Sequence, residues 1–330
     1  MSIIGRSHLE TLKSIDFAGV CAQAENDGED MSKQENDQHR WGQDDQKGAM
    51  NLVTPEVTLK AIQSVKHGRM IDLSHELKSG HPMLPTFMSP FLMSIWSDAT
   101  TSRRMLREHM DNTNDFGVFT ERVELCTHTS THVDALGHVT IGDEMYNGFS
   151  SQDSVNSFGL ERLGIEQMPP AITRGVSVDL AGLDGGEFLE GGRSITTAEL
   201  KDALSRAKVQ LQPGDIFFFR TGYSRYYMTD NRKYIRSAPG IDVDAARWLT
   251  GQGVAAIGAD NMAVEVTPYP EKGAILPVHQ HTLVEAGVHL VENLALDGLM
   301  QSDVTTFCLI MIPIKITGAT GCPLRPVALI

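Results

Sequence analysis

Long apolar runs are missing from these 330 residues; none nears the ~20 residues that a membrane-spanning helix needs. Basic residues are scarce as well, with 28 Lys and Arg against 42 Asp and Glu and a formal charge of −14. Clustered Lys and Arg are what bind phosphate backbones and anionic lipid, so neither nucleic acid nor membrane is expected as a partner. Cysteine is sparse, and Cys21, Cys126, Cys308 and Cys322 form no Cys-x-x-Cys pair. They read as free thiols of a reducing compartment, with Cys126 and Cys308 in strand-like apolar runs. No basic segment followed by an apolar core opens the chain, so a cytoplasmic location is expected. The glycine-rich dinucleotide fingerprint and the phosphate loop ending in Gly-Lys-Ser/Thr are also lacking. The remainder is ordinary globular composition, 41% hydrophobic and 21% charged, enough for one large core or two small ones.

Residues 22–40 are polar and acid-rich and have almost no apolar side chains to bury. Residues 1–40 are therefore expected to form an N-terminal extension, a weakly helical piece followed by a disordered linker. The folded body, residues 41–330, is expected to start near Trp41 as a single catalytic domain. Thr54-Pro55-Glu56 carries an N-cap with proline in the first turn and predicts a helix to about His67-Gly68. Met70–Ser74 and residues 118–126 read as strands, as do Val176–Leu180, Ile216–Thr221, Val254–Gly258 and Val288–Glu292. Thr196-Thr-Ala-Glu199 has the capping-box form, and Asp242 caps a helix to about Gly251. His281–Ala286 is helical in character, and Thr305–Ile316 is a long β-rich run. Strands and helices alternate through the second half, which predicts a mixed α/β fold.

The chemistry is concentrated in His128-Thr-Ser-Thr-His132-Val-Asp134-Ala-Leu-Gly-His138, three imidazoles and a carboxylate within eleven residues. Both ligand types suit zinc and manganese, and a spare imidazole can carry protons near neutral pH. All four positions are even-numbered, so an extended chain turns them to one side, whereas a helix would scatter Asp134 and His138. Thr127, Thr129, Thr131 and Val133 favour extended backbone. The stretch reads as a strand running into a loop with a metal-binding edge. The helical His-Glu-x-x-His pattern is excluded, because Thr129 stands at the glutamate's place.

This run resembles the metal-dependent cyclase family of hydrolases, whose pattern is His-x-Gly-Thr-His-x-Asp-x-Pro-x-His. That family includes bacterial kynurenine formamidase, isatin hydrolase and trans-dienelactone hydrolase. Trp41-Gly-Gln-Asp-Asp45, Gly48–Leu52, Ile71–His75, Pro213-Gly-Asp215, Arg220-Thr-Gly222, Gly258–Asn261, Val291–Leu294 and Gly318–Gly321 look like its landmarks, in family order. The likeness covers about 41–330. Ser130 and Leu136 depart from the motif's Gly and Pro.

The resemblance implies a swivelling β/β/α fold and a homo-oligomer, a dimer foremost. It also implies a hydrolase that opens an amide or lactone, plausibly cyclic, with hydroxide generated on a divalent ion. Carried over residue by residue, His128, His132 and Asp134 hold the ion, and His138 is the general acid/base for a small-molecule substrate. Formamidase-type members hold a second metal with a His and a Glu twelve residues apart. The residue twelve before Glu292 is Gln280, flanked by His279 and His281. An amide oxygen suits one hard ion, so one divalent metal is expected, Mn2+ favoured over Zn2+, with Gln280 as fourth ligand. A one-residue shift would instead turn His279 or His281 inward and restore a two-metal site. Glu292 reads equally as a carboxylate near the metal or as a buried charge paired with a backbone group, and Asn261 equally as a polar site residue or as a cap of the next turn. Phe87, in an apolar loop with Met83, Met88 and Phe91, offers a wall for a ring-shaped substrate, with ordinary core packing as the default reading. An arylformamidase with two zincs, a non-hydrolytic cyclase or lyase, and a plain metal-binding protein stay open.

Overall fold

The strand Ile216–Arg220, apolar through Phe219, lies in the middle of a nine-stranded sheet, because a strand that turns apolar side chains to both faces must be covered on both. The structure, a computed structural model, describes residues 39–330, so Cys21 and all but the last two residues of the expected extension lie outside the described residues. Four strands run parallel at the centre: Ala171–Asp179, Ile216–Arg220, Ala256–Ala259 and His289–Glu292. Beyond the first lie Thr306–Met311, Val327–Leu329 and Met70–Asp72, each antiparallel to its neighbour. Beyond the last lie His132–Asp134 and Gly321–Pro323, also antiparallel.

Side-chain alternation divides the molecule into two cores. Phe217 and Phe219 pack with Leu200, Leu204 and Leu249 of the helices Thr197–Arg206 and Val243–Gly251. Ile216 and Phe218 point to the other face, among Val133, Val291 and Leu309, which come from other strands of the same sheet. A sheet that shares a core with itself must curl, and the chain path requires it. Pro323 ends the strand at one edge and Val327 opens the strand next to the other edge. Flat, those two positions would be seven strand spacings apart, roughly 34 Å. Four residues of chain span at most about 14 Å. An antiparallel bridge between Ser74 and Leu294 draws the ends of the curl together, and Leu324 N donates to Thr131 O at 2.9 Å.

The helix caps form as their sequences dictate. Thr54 Oγ1 accepts from Val57 N ahead of the helix Pro55–Gln63, and Thr196 and Glu199 make the reciprocal capping box. Asp242 accepts from Ala245 N at 2.8 Å. Two expectations need correction. The strand expected at 118–126 is Thr120–Glu124; it pairs with Leu92–Ser97 in a separate two-stranded ribbon, outside the main sheet. Cys126 lies past its end, whereas Cys308 is in a sheet strand. The helix Ala99–Met110 between the ribbon strands was not anticipated, because Met105, Leu106 and Met110 are its only large apolar side chains; Asp98 starts it by accepting from Thr100 N and Thr101 N.

Candidate metal centre

The motif reaches the sheet only at its middle. His132–Asp134 is a strand, but His128 lies in a turn and Ser130 has a φ of 59°, so the alternation expected from His128 onward does not hold. His128 arrives by the turn instead. A second segment holds it: Thr320 Oγ1 lies 2.9 Å from its Nε2, while Nδ1 lies 2.8 Å from Asp134 Oδ1. The ring also presses on Gly321, where a Cβ would come within 2.7 Å of the imidazole. Glycine is required there by close approach.

Strand register supplies the carboxylate opposite. Glu292 is the cross-strand partner of His132, with its Oε2 3.4 Å from His132 Nε2. His132 Nε2 also lies 3.5 Å from Asp134 Oδ1, and its Nδ1 bonds Ser130 O at 2.8 Å. The Ser130 carbonyl can only accept, so Nδ1 carries a proton and Nε2 is the nitrogen that faces the carboxylates; burial would lower His132, but Asp134 and Glu292 raise it. His138 follows in the next turn, its N donating to Ala135 O at 3.0 Å and its ring stacked on His128 at 4.0 Å between centroids.

Gln280 does not join this cluster: its Nε2 donates to Thr140 O at 3.0 Å. His279 takes the position, with Nε2 3.1 Å from Glu292 Oε1 and 3.8 Å from Asp134 Oδ2. The cause is a π-helical turn at Gln280–Glu285, directly after the short helix Pro277–His279. A π-turn holds one residue more than an α-turn, so the inward histidine stands thirteen residues before Glu292 rather than twelve. His281 turns elsewhere, to Glu285 at 2.7 Å and Thr250 at 3.0 Å.

Two groups of ligand atoms result, His128–His132–Asp134 and Asp134–His279–Glu292, each within 4.8 Å. Asp134 belongs to both. Its two carboxylate oxygens are buried with no hydrogen-bond partner, and the nearby ring nitrogens are close without being aligned to donate. Buried carboxylates are normally hydrogen-bonded or bound to a metal, so this donor set fits a divalent ion. Burial would raise the Asp134 carboxyl, yet the imidazoles of His138, His128 and His132 hold it well below the usual range. Burial would lower His279, but Glu265 and Glu292 keep it well above the imidazole value. Burial and the Asp134 charge push Glu292 upward, with His279 pulling against them. His138 is pushed down to about 3 by burial, despite Asp134, so it is neutral at pH 7 and has a lone pair to offer.

Two further expected residues lie apart from the ligands. Asn261 is fully buried, but its Oδ1 accepts from Ala263 N and Val264 N and its amide donates to Pro239 O, so it builds a turn. Phe87 is 83% exposed in the single chain. Sequence reasoning missed Glu265, which is fully buried. Its Oε1 accepts from the backbone and ring nitrogens of His279, at 3.0 and 2.6 Å. Its signal was an acidic residue inside the apolar run Ala263-Val-Glu-Val266.

The Cyclase family model matches residues 71–266. A solved structure described as a novel cyclase is 31% identical, with a TM-score of 0.79, over 89% of this chain and 99% of its own. Isatin hydrolase A from Ralstonia solanacearum shares the fold, with a TM-score of 0.58 at 20% identity, over 79% of this chain and 91% of its own. Kynurenine formamidase of Bacillus mycoides is 35% identical over 89 residues, which are 27% of this chain and 39% of that protein. The chain thus spans about two fifths of the curated formamidase it matches.

Proposed function

This chain belongs to the cyclase family, and from that premise we propose that it is a metal-dependent hydrolase opening an amide or lactone bond of a small molecule. The observation that carries the reading is Asp134, a buried carboxylate without hydrogen-bond partners among three imidazoles and Glu292. These residues would hold a divalent ion, which would supply Lewis-acid polarisation of the carbonyl and bring the pKa of a water bound to it toward neutrality. His138 takes the proton of the attacking water and returns it to the leaving nitrogen or oxygen. Its ring stacks on His128, which keeps it beside the ligand cluster. Glu265 holds His279 by two hydrogen bonds, so that His279 Nε2 stays turned toward Glu292.

His279 favours a second reading, an arylformamidase with two zincs. A third imidazole in place of an amide oxygen completes a second ligand group and moves the preference from manganese toward zinc. The residues assigned to the ion or ions are His128, His132, Asp134, His279 and Glu292.

We propose a second copy of the chain as the macromolecular partner. The ribbon Leu92–Ser97 with Thr120–Glu124 is solvent-exposed on both faces, and Trp96 is 76% exposed. A two-stranded ribbon without a core is marginal in water. Phe87, Leu92, Met93, Ile95, Trp96 and Phe119 are all exposed. With their neighbours they offer on the order of 1,000 Å² of apolar surface, comparable to the ~800 Å² per partner of a standard interface. Among the described residues no helix is long and apolar enough to cross a membrane. The free thiols Cys126, Cys308 and Cys322 fit the cytoplasm.

The test is hydrolysis of a panel of lactones, cyclic imides, isatin and N-formylkynurenine by zinc- and manganese-loaded protein, with bound metal counted per chain. His138→Ala is expected to lower turnover by roughly 10²- to 10⁴-fold with metal content unchanged. Unchanged turnover in that variant refutes the proton-transfer role.

A further inference from the structure

Ser130 occupies the place at which the family motif has glycine, and it does so with a φ of 59°, a left-handed conformation that a side chain disfavours. Its carbonyl is the acceptor that sets His132, at 2.8 Å from Nδ1. The Ser130 peptide therefore decides which nitrogen of His132 faces Asp134 and Glu292. The serine is 4% exposed, so its hydroxyl needs a partner inside the protein. Tyr227 provides it: its phenol donates to Ser130 Oγ at 2.9 Å, and Ser130 Oγ reaches back to His75 O at 3.4 Å.

Tyr227 is itself held in place. Its ring lies on the His75 imidazole, 4.1 Å between centroids and 12° between planes, and meets Tyr234 edge-on at 5.6 Å. The backbone of His75 is tied to the same turn, with its N donating to Thr131 Oγ1 at 2.9 Å. A glycine at position 130 would adopt the turn unaided, whereas a serine needs its hydroxyl satisfied. We propose that Tyr227 is a positioning residue for His132: through the Ser130 hydroxyl it fixes the left-handed turn whose carbonyl orients the imidazole toward the metal. This rests on the metal-centre reading above.

The test titrates zinc alone into metal-free protein by calorimetry, for the unmodified chain, Tyr227→Phe, and Tyr227→Phe combined with Ser130→Gly, with a thermal melt of each. Removing an outer partner of a metal-bound histidine typically weakens metal binding 10- to 100-fold, and Tyr227→Phe is expected to do so. Adding Ser130→Gly is expected to restore most of that loss, because the stranded hydroxyl goes and glycine accepts the φ of 59°. Unmodified protein that takes up no zinc overturns the metal reading and this proposal with it. Equal affinity in all three proteins overturns the positioning role alone. So does a loss in Tyr227→Phe that Ser130→Gly fails to restore, since the effect then lies in packing rather than in the hydroxyl.

Discussion

Asp134 is the residue on which the candidate centre turns, because it alone belongs to both ligand groups and is the most hemmed in by imidazoles. Its neighbours divide into residues visible in the sequence and residues that are not. His128, His132 and Asp134 lie within seven positions, so their ligand character is a local property of the chain. The choice between His279 and Gln280 is a matter of rotation about a helix axis, where one residue of offset is about 100°. The expected consequence is testable by elemental analysis after dialysis against buffer. Gln280→Ala should retain the metal content of the unmodified protein, since its amide engages Thr140 rather than the cluster. His279→Ala should lose one equivalent; the opposite pattern would restore the single-ion arrangement with Gln280 as ligand.

Elements behave as their local chemistry directs where capping decides, and depart from it where packing decides. The helix Thr197–Arg206 starts where its capping box says, and Arg193 strengthens that start by bonding Glu199 and Asp184. The Arg193 guanidinium holds the Glu199 carboxyl down to about 2. An unfolded glutamate titrates near 4.3, so the folded state binds this proton less readily. The stabilisation is complete above that value and is lost as pH falls toward about 2. Glu199→Gln should therefore cost stability at pH 6, with the difference from the unmodified protein shrinking between pH 5 and 2. Paired urea titrations across that range measure it, and a pH-independent difference would contradict the assignment. The π-turn at Gln280–Glu285 is the contrary case. Nothing in Gln-His-Thr-Leu-Val-Glu marks a π-turn, since its residue types suit an α-helix equally well. What distinguishes it is where its ends sit: Ala49 N donates to Gly287 O just beyond it, and Glu265 holds the backbone and ring of His279 just before it.

At the scale of the whole molecule, the ribbon Leu92–Ser97 with Thr120–Glu124 gathers exposed apolar side chains, Leu92, Met93, Ile95 and Trp96 among them. Light scattering coupled to size exclusion should find the unmodified chain as a dimer. Ile95→Asp with Trp96→Asp should give a monomer that keeps its metal; a variant that stays dimeric would move the interface elsewhere. The single-chain position of Phe87 belongs to the same question, since an 83% exposed aromatic acquires a wall only from a neighbour. By itself, the sequence determined the parts that depend on short spans: the buried central strands, the helix caps, and the ligand types clustered from His128 to His138. Only the tertiary structure decided the rest. It curled the sheet so that Glu292 stands opposite His132, carried Thr320 to His128, and turned His279 inward in place of Gln280. The physical reason is separation along the chain. Capping and alternation act over a few residues, whereas those contacts join segments more than a hundred residues apart or depend on a helix rotation that packing alone sets.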